Sequence, residues 1–278
     1  MEHWIALIIS MLELGCIYSL VVLGVYVTSR IISTDDFTIE GSFATGGALT
    51  ALLLLKQLNP IFCCIGAVII GGIVGMATGL LHTKLKLNNL ISGIVVATGL
   101  FSVNLKLAGP HAIVPSASTI FAFLGLYEYH LVFLGLLSIL ALVLVHWFLK
   151  TEYGFCLRSV GDNPHMLIHL GKDPDRYKIV GLMIANSLSA LAGCLMVMHT
   201  EFYSLMGSFG TLIIALAGLI IGRAISKHMM IGVLCGAVAY QAIIVTTIEL
   251  QVDPAWNKLI TAGLIIALIA FQKRGSSK

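Results

Sequence analysis

The chain has 278 residues, of which 58% are hydrophobic and 10% are charged, and its formal net charge is +3 at pH 7. Soluble domains carry about 25% charged residues. This composition, with a mean hydropathy of +1.00, therefore excludes an ordinary soluble domain and indicates an integral membrane protein. We predict an all-α fold, with one transmembrane domain over residues 1–278 built as a polytopic bundle of about nine (eight to ten) transmembrane helices.

The predicted spans are apolar segments that approach or exceed the roughly 20 residues needed to cross about 30 Å of hydrocarbon as a helix. The first, residues 4–28, is too long for a signal-peptide core and has no basic segment before it, so we expect it to be retained. A shorter segment rich in Gly, Ala and Thr, residues 41–55, is a further candidate. The remaining spans are predicted at 61–81, 90–107, 131–149, 179–198, 210–222, 229–248 and 256–271.

Small residues recur four positions apart within these spans. The longest row is Gly71, Gly75 and Gly79. In lipid, helices associate where small residues let their backbones approach closely, so we predict that this row is a helix contact. Shorter pairs with the same spacing are Ser189 with Gly193, Gly218 with Gly222, and Gly232 with Gly236.

The basic residues predict the orientation of the chain, because cytoplasmic loops carry an excess of Lys and Arg. With nine spans and residues 151–178 in the cytoplasm, only Lys56, Lys106 and Lys258 of the 16 lysines and arginines lie outside. This topology places the N-terminus outside. One span more or fewer before Lys84 would invert that end alone.

The cysteines and histidines do not form a recognisable metal or redox motif. The six cysteines lie mostly in apolar segments without a C-x-x-C pair, so we expect reduced thiols that pack between helices. His165 and His169 have the spacing of metal ligands on a helix, but no third ligand lies near them in the sequence. We predict no metal site.

One long polar stretch, TEYGFCLRSVGDNPHMLIHLGKDPDRYK at residues 151–178, interrupts the apolar pattern. Asn163 can cap a helix, Pro164 suits its first position, and Gly171 accepts the left-handed conformation that ends it. The sequence therefore predicts a cytoplasmic helix of about two turns. An ordinary interhelical loop is the alternative.

The predicted helix has Met166, Leu167 and Leu170 on one face. A helix of this length is marginal in water by itself. We therefore expect it to pack either on its own bundle or in a partner protein.

Several stretches resemble the permease subunits of bacterial ABC importers, in the group that includes the branched-chain amino acid and ribose permeases. TEYGFCLRSVGDN with the short helix after it, followed by LGKDPDRYKIVGLMIANSLSALAG, resembles the cytoplasmic coupling loop and the helix that follows. Similar blocks are GCIYSLVVLGVYVTSRIISTDDFTIEGSFATGGAL, GLLHTKLKLNNLISGIVVATGLFSVNLKLAG and GTLIIALAGLIIGRAI. The similarity is greatest to the subgroup associated with binding proteins for tryptophan and other aromatic or hydrophobic amino acids.

This resemblance implies a multi-pass protein of the bacterial cytoplasmic membrane that works in a complex. The implied partners are a second copy of the permease, a dimer of ABC ATPase subunits carrying ATP and Mg, an external substrate-binding protein and membrane lipid. Residues 109–130, which have no Lys or Arg, are our candidate docking surface for the binding protein. The residues implied to couple to the ATPase are Gly154, Arg158, Gly161, Asp162, Asn163, Pro164, Met166, Leu167, Leu170 and Gly171.

Polar residues within the spans are candidates for a substrate pathway, because a polar group in a membrane helix is costly and tends to face a cavity. Glu13 lies near the middle of the first span; the alternative is a neutral acid that hydrogen-bonds between helices. Asn104 either binds a substrate or joins two helices. Asn186, Gln241 and Glu249 are set aside for the same reason.

The segment at 35–42 places three acids and two hydroxyls beside the short Gly-rich span. Short or interrupted spans expose backbone, which is tolerated where it lines a cavity or is covered by protein. We predict a pathway element here, with a solvated cytoplasmic turn as the alternative. The candidate residues are Asp36, Thr38, Glu40 and Ser42.

The chain has no G-x-x-x-x-G-K-[ST] phosphate loop, G-x-S-x-G or H-E-x-x-H motif. We therefore expect a transport subunit without enzymatic activity and without a cofactor of its own, and no nucleic-acid partner. An ion- or proton-coupled secondary transporter is the alternative, but it would need ionisable groups near the midplane and usually shows an internal repeat. A membrane-embedded enzyme would need a clustered set of reactive groups, which the sequence does not show.

Overall fold

The computed structural model describes residues 2–126, 129–226 and 228–249, and four isolated residues beyond them, Trp256, Leu259, Ala262 and Gly263. The predicted span at 256–271 lies outside the continuous described part. Every other predicted span is confirmed as a helix, and the described residues contain eight helices long and apolar enough to cross a membrane.

Short irregular elements connect these helices. A π-helical turn, Val27–Ile31, ends the first helix, and 3₁₀ turns occur at Ser116–Ser118 and Met206–Ser208. The helices are α1 (Glu2–Tyr26), α2 (Thr38–Leu55), α3 (Pro60–Lys84), α4 (Asn89–Ala108), α5 (Ile120–Phe123), α6 (His130–Leu149), α7 (Glu152–Asp162), α8 (Pro164–His169), α9 (Pro174–Thr200), α10 (Thr211–Ile225) and α11 (Met229–Glu249). Two short strands, β1 (His111–Ile113) and β2 (Phe202–Ser204), pair antiparallel.

Helix α9 runs through the centre of the bundle and packs against α1, α2 and α3. The predicted glycine row is the α3 side of this packing: Gly71, Gly75 and Gly79 lie against the α9 backbone at Asn186, Leu182 and Ile179. A side chain at Gly75 would collide with the Leu182 carbonyl. The close approach of the two backbones depends on the absence of these side chains.

The other predicted small-residue pairs are also contacts. Gly193 lies against the Phe43 carbonyl of α2, and the Ser189 hydroxyl donates a hydrogen bond to the Ile39 carbonyl at 2.7 Å. Gly222 of α10 meets Gly232 of α11. Small residues therefore set the spacing on both sides of the bundle.

The connection between α1 and α2 alternates between buried and exposed residues, and Ser33, Asp35 and Phe37 are exposed. Residues 32–37 are not helical, yet Thr34 and Asp36 are buried. The Thr38 and Thr78 hydroxyl oxygens are hydrogen-bonded at 2.8 Å. Thr78 lies six residues, or about 9 Å at 1.5 Å per residue, before α3 ends at Lys84. Helix α2 therefore begins well below the end of its neighbour. The burial of Asp36, Thr38 and Ser42 argues against a solvated turn, which was the alternative for residues 35–42.

Helix α10 also begins inside the bundle. It has 15 residues, about 22 Å of helix, which is shorter than the roughly 30 Å hydrocarbon layer. The membrane-spanning length of Met206–Ile225 is reached only with the preceding 3₁₀ turn. Gly210, with φ +94°, lies at the break between the two.

Connections predicted to share a side of the membrane meet in the structure. The β1–β2 pairing joins residues 109–130 to residues 199–209. At the other end of the bundle, Gly161 of α7 lies against Ile31 and Ile32 at the start of the α1–α2 connection. Large apolar side chains along α4 and α6, including Val95, Leu136 and Trp147, are exposed, which is expected of surfaces that face lipid.

Candidate functional site

A cavity of about 470 Å³ lies between α2, α4 and the start of α10. Ligand sites in proteins are concave, mostly apolar, and carry a few polar groups, and this cavity has that composition. Its lining residues are Phe37, Glu40, Gly41, Ala44, Ile94, Ala97, Thr98, Phe101, Asn104, Leu205, Ser208, Phe209, Leu212 and Ile213.

Aromatic rings form part of the cavity wall. The Phe101 ring of α4 lies 6.0 Å, centroid to centroid, from the Phe209 ring at the break before α10. Phe37, just before α2, is a third aromatic lining residue. Rings at these separations attract one another and offer flat apolar surface to a ligand.

Glu40 is the acidic residue of the cavity lining. Its Oε2 accepts a hydrogen bond from the Gly210 N–H at 3.0 Å. Glu40 lies in the first turn of α2, and Gly210 is the residue before α10. Two helix N-termini therefore meet at this carboxylate, and the partial positive charge of helix N-termini favours an anion there.

Asn104 is the amide of the cavity lining, and its side chain is 0% exposed. Neither Oδ1 nor Nδ2 has a hydrogen-bond partner among the described residues. A buried polar group without a partner costs about 1–3 kcal/mol. Within the described residues, no hydrogen bond of the Asn104 side chain joins two helices, which was one of the two alternatives for this residue.

Asp36, Thr38 and Ser42 lie beside the cavity in a buried hydrogen-bond network centred on Asn186 of α9. The Ser42 hydroxyl donates to Asn186 Oδ1 at 2.6 Å, and Asn186 Nδ2 donates to Asp36 Oδ2 at 2.7 Å. The Thr38 N–H donates to Asp36 Oδ1 at 2.8 Å. Burial raises the pKa of the Asp36 carboxyl, and the hydrogen bonds from Thr38 and Asn186 oppose that rise. None of the three is a lining residue.

Glu13 lies at a third place, apart from both the cavity and the network. Its Oε2 is 3.8 Å from His199 Nε2, at the end of α9. The His199 ring lies 6.2 Å from the His130 ring, and Phe121 packs against the His130 ring at 4.0 Å. The structure therefore divides the predicted pathway residues among three places, and only Glu40 and Asn104 line the cavity.

The polar stretch at 151–178 folds as two helices instead of one. Helix α8 has the predicted caps: Asn163 Oδ1 accepts from the His165 N–H at 3.1 Å, Pro164 is its first residue, and Gly171 has φ +71°. The eleven-residue helix α7 that precedes it was not predicted from the sequence. Buried Cys156, Leu157 and Val160 at helical spacing are the pattern that could have revealed it.

Met166, Leu167 and Leu170, which were predicted to lie on one face of the helix, differ in their burial. Leu167 is 1% exposed and packs into the bundle, whereas Met166 is 54% and Leu170 62% exposed. Leu167 faces inward because α8 is held against α7 and α9. Helix α8 therefore packs on its own bundle and also keeps an apolar surface free of the described chain.

The remaining residues of the segment divide between packing and exposure. Gly154 lies against the backbone at Phe148 and Leu149, and Gly161 lies against the backbone at Ile31. Arg158, Asp162 and Asn163 are exposed. A further link is Lys172, whose Nζ donates to Cys156 Sγ at 3.2 Å.

Several residues of the site were not selected from the sequence. Phe37, Phe101, Ser208 and Phe209 line the cavity, but single aromatic or hydroxyl residues in apolar segments give no pattern. Asn186 was set aside as a residue that could join two helices, and its hydrogen bond with Ser42 joins α9 to α2.

Comparison with known proteins agrees with this architecture. The family model described as the permease component of branched-chain amino acid transport systems matches residues 7–269. A tyrosine transport system permease protein of Clostridioides difficile (strain R20291) is 35% identical over 271 residues, covering 95% of this chain and 90% of that protein.

Two further relatives come from other organisms. An uncharacterized protein of Rickettsia prowazekii is 30% identical over 278 residues, 96% of this chain and 98% of its own. The probable branched-chain amino acid transport permease protein LivH of Methanocaldococcus jannaschii is 29% identical over 248 residues, 81% of this chain and 78% of its own. No solved structure matches the chain.

The family match covers nearly the whole chain, and the eight apolar helices of the described part fit a multi-pass inner-membrane protein. The chain therefore belongs to the family of permease components of branched-chain amino acid transport systems.

Proposed function

We propose that this permease component is the membrane-spanning subunit of an ATP-driven ABC importer, and that its cavity is part of the path of an aromatic or other hydrophobic amino acid. The family match supports the importer role. The observation that carries the substrate class is the cavity of about 470 Å³ with Phe37, Phe101 and Phe209 in its wall and Glu40 beside them. The name of the Clostridioides difficile relative, a tyrosine transport system permease, points to the same class.

A continuous set of contacts links the cytoplasmic segment to the cavity. Helix α8 packs on α7, and α7 touches Ile31 and Ile32 through Gly161. Phe37 and Glu40, five and eight residues after Ile32, line the cavity. Movement of α8 by an ATPase would therefore displace the start of α2. That displacement would bias the bundle between two openings.

The exposed side of the α7–α8 segment is the proposed docking surface for the ATPase dimer that carries ATP and Mg. Phe155, Met166, Ile168 and Leu170 are exposed there beside Arg158. Apolar side chains ringed by polar ones are typical of interaction sites. We propose residues 109–130 as the docking surface for the substrate-binding protein. Strand β1 of this segment pairs with β2 at the opposite end of the bundle.

A second copy of the chain would complete the path. Ile94, Phe209 and Ile213 line the cavity, yet about half of each side chain is exposed on the surface of the single chain. An amino acid crossing there would meet lipid unless protein covers that side. We propose a homodimer that closes the cavity. The test is cross-linking of Ile213→Cys chains in a cysteine-free background: dimers formed through residue 213 support it, and monomers only would contradict it.

The function is tested by reconstitution. The permease, its ATPase and a substrate-binding protein are placed in proteoliposomes, and uptake of labelled tyrosine, leucine and ribose is followed with and without ATP. ATP-dependent uptake of tyrosine, insensitive to an ionophore, is the expected result. Uptake without the ATPase that collapses with an ionophore would instead show an ion-coupled secondary transporter. ATP-driven uptake of leucine or ribose alone would keep the importer and refute the aromatic substrate.

A further inference from the structure

Asn104 differs from the other buried amide that the structure describes in the same part of the bundle. Asn186 accepts from Ser42 and donates both to Asp36 and to the Leu182 carbonyl. Asn104 is as deeply buried, but its Oδ1 and Nδ2 have no partner within the described chain. Buried polar groups are rarely left unpaired, and an exception calls for a specific reason. Asn104 lines the cavity, so a ligand in the cavity can supply the missing partner.

The two polar ends of the cavity are well separated. A side chain at Gly41 would lie 3.2 Å from the Ala97 Cα, so α2 at residue 41 is level with α4 at residue 97. Glu40 is adjacent to Gly41, and Asn104 lies seven residues beyond Ala97 on α4. At 1.5 Å per residue, Glu40 and Asn104 are about 10 Å apart along the helices.

The wall between these ends is apolar. Phe101 and Phe209 face each other there, and Ala44 and Leu212 add aliphatic surface. A matching ligand has a cationic group beside the Glu40 carboxylate and a flat apolar body. At its far end it has a group that can hydrogen-bond both to the Asn104 Oδ1 and to the Asn104 Nδ2. A hydroxyl can do so, because it donates one hydrogen bond and accepts others.

An amino acid cannot meet both ends with its backbone groups alone, because its ammonium and carboxylate are attached to the same carbon. Its ammonium group would lie at Glu40. Its carboxylate would lie close by, at the start of α10, where first-turn N–H groups lack intrahelical acceptors and favour anions. Only the side chain then reaches Asn104.

We propose that Asn104 is a specificity-determining residue that binds a hydroxyl at the far end of an aromatic side chain. This inference rests on the proposed function and deepens it: the permease itself, and not the binding protein alone, prefers a hydroxylated aromatic amino acid to a plain one. A site that hydrogen-bonds a substrate hydroxyl discriminates against the analogue that lacks it, because the buried amide then stays unpaired.

The experiment compares three substrates in the reconstituted complex: tyrosine, phenylalanine and 4-methylphenylalanine, which has the size of tyrosine without the hydroxyl. Uptake kcat/KM is measured for the natural chain and for Asn104→Leu with the same binding protein, so the contribution of the binding protein cancels between the two chains. In Asn104→Leu the tyrosine-to-phenylalanine ratio falls roughly tenfold, the size of one or two hydrogen bonds, because tyrosine uptake falls and phenylalanine uptake does not.

The control is Thr50→Val, which removes a buried hydroxyl whose bond to the Gly46 carbonyl stays within α2. It leaves the ratio unchanged. Equal loss for all three substrates in Asn104→Leu, or an unchanged ratio, overturns the proposal. Should that variant not assemble, the natural chain still decides once each kcat/KM is divided by the affinity of the binding protein for that substrate. Similar corrected values for tyrosine and 4-methylphenylalanine also overturn the proposal.

The outcomes separate this proposal from the proposed function. ATP-driven uptake of aromatic amino acids without any dependence of the ratio on Asn104 refutes only the role of Asn104. Absence of aromatic uptake, with leucine carried by the same complex, refutes the substrate class and this proposal with it.

Discussion

The α7–α8 segment and the cavity are built in opposite ways. The segment is made from 18 consecutive residues, 152–169, whose caps and apolar spacing are local. The cavity is assembled from residues near 40, near 100 and near 210, on three helices. The segment can be recognised from one stretch of sequence, whereas the cavity exists only after packing. The two regions meet at Gly161, where α7 touches the turn that leads to Glu40.

The contact at Gly161 is the most sensitive test of the link between these regions. A side chain at this position collides with the Ile31 carbonyl, so Gly161→Leu forces α7 away from the turn. Overpacking of this kind costs about 1–3 kcal/mol or more. We expect ATP-driven uptake to fall more than about tenfold and stimulation of the ATPase by loaded binding protein to be lost.

The control for this variant is Gly135→Leu on α6, where an added side chain meets nothing within 4 Å. It leaves uptake and ATPase stimulation close to those of the natural chain. Full stimulation in Gly161→Leu would break the proposed link between segment and cavity.

The two acidic side chains Glu40 and Glu13 lie in different parts of the bundle. Glu40 lines the cavity, and Glu13 lies away from it beside His199. Glu40→Gln removes the charge that would bind a substrate ammonium, and charged hydrogen bonds are worth about 1.5–3 kcal/mol, so uptake kcat/KM falls roughly tenfold or more. Glu13→Gln changes it less than about twofold. Uptake kinetics of the two variants test this, and the reverse order would move the path to Glu13.

The network around Asn186 should support stability more than selectivity. Asn186→Leu removes the hydrogen bonds of Asn186 to Asp36 Oδ2 and to the Ser42 hydroxyl, while the Thr38 N–H still bonds Asp36 Oδ1. We expect this loss within a buried network to cost about 3 kcal/mol. The matched change is Thr45→Val, because the Thr45 hydroxyl bonds only to the Gly41 carbonyl of its own helix. Thermal unfolding in detergent should show a clear loss of melting temperature for Asn186→Leu and little for Thr45→Val. Equal melting temperatures would mean that the network adds no stability.

Two leucines in and just after α8 should have different roles, one in stability and the other in ATPase binding. Leu167 is buried, so Leu167→Ala loses about 2–4 kcal/mol of packing energy and lowers the melting temperature. Leu170 is exposed, so Leu170→Ala keeps the melting temperature and weakens ATPase binding several-fold. Copurification with the ATPase and thermal unfolding measure the two effects. A loss of stability in Leu170→Ala with ATPase binding intact would show that the exposed side of α8 is not the docking surface.

The spans, the glycine contacts and the caps of α8 were predictable because each depends on residues close together in the sequence. Hydrophobic length alone located the eight spans that the structure describes. The four-residue spacing of Gly71, Gly75 and Gly79 predicted a close helix contact, but not that the contacting helix is α9. Helix α7 was missed because the same stretch holds glycines, and Gly154 and Gly161 serve packing there instead of ending a helix.

The residues of the site were only partly predictable. The sequence selected Glu13, Asp36, Glu40 and Asn104 for one reason, because each is a polar residue in or beside an apolar span. Their different positions depend on which neighbour packs against each one: His199 for Glu13, Asn186 for Asp36, and Gly210 for Glu40. Those neighbours are more than 140 residues away in the sequence, so no local pattern records them.

The sequence by itself determined that the chain is a bundle of membrane helices with a capped cytoplasmic helix, because hydrophobic length and capping are local properties. Only the tertiary structure decided that α2 and α10 begin inside the bundle and enclose a cavity with Phe101 and Phe209 in its wall. It also left the Asn104 amide without a hydrogen-bond partner among the described residues. It exposed Leu170 and buried Leu167. Burial and pairing depend on the whole set of packed helices, and for this reason they cannot be inferred from any one segment.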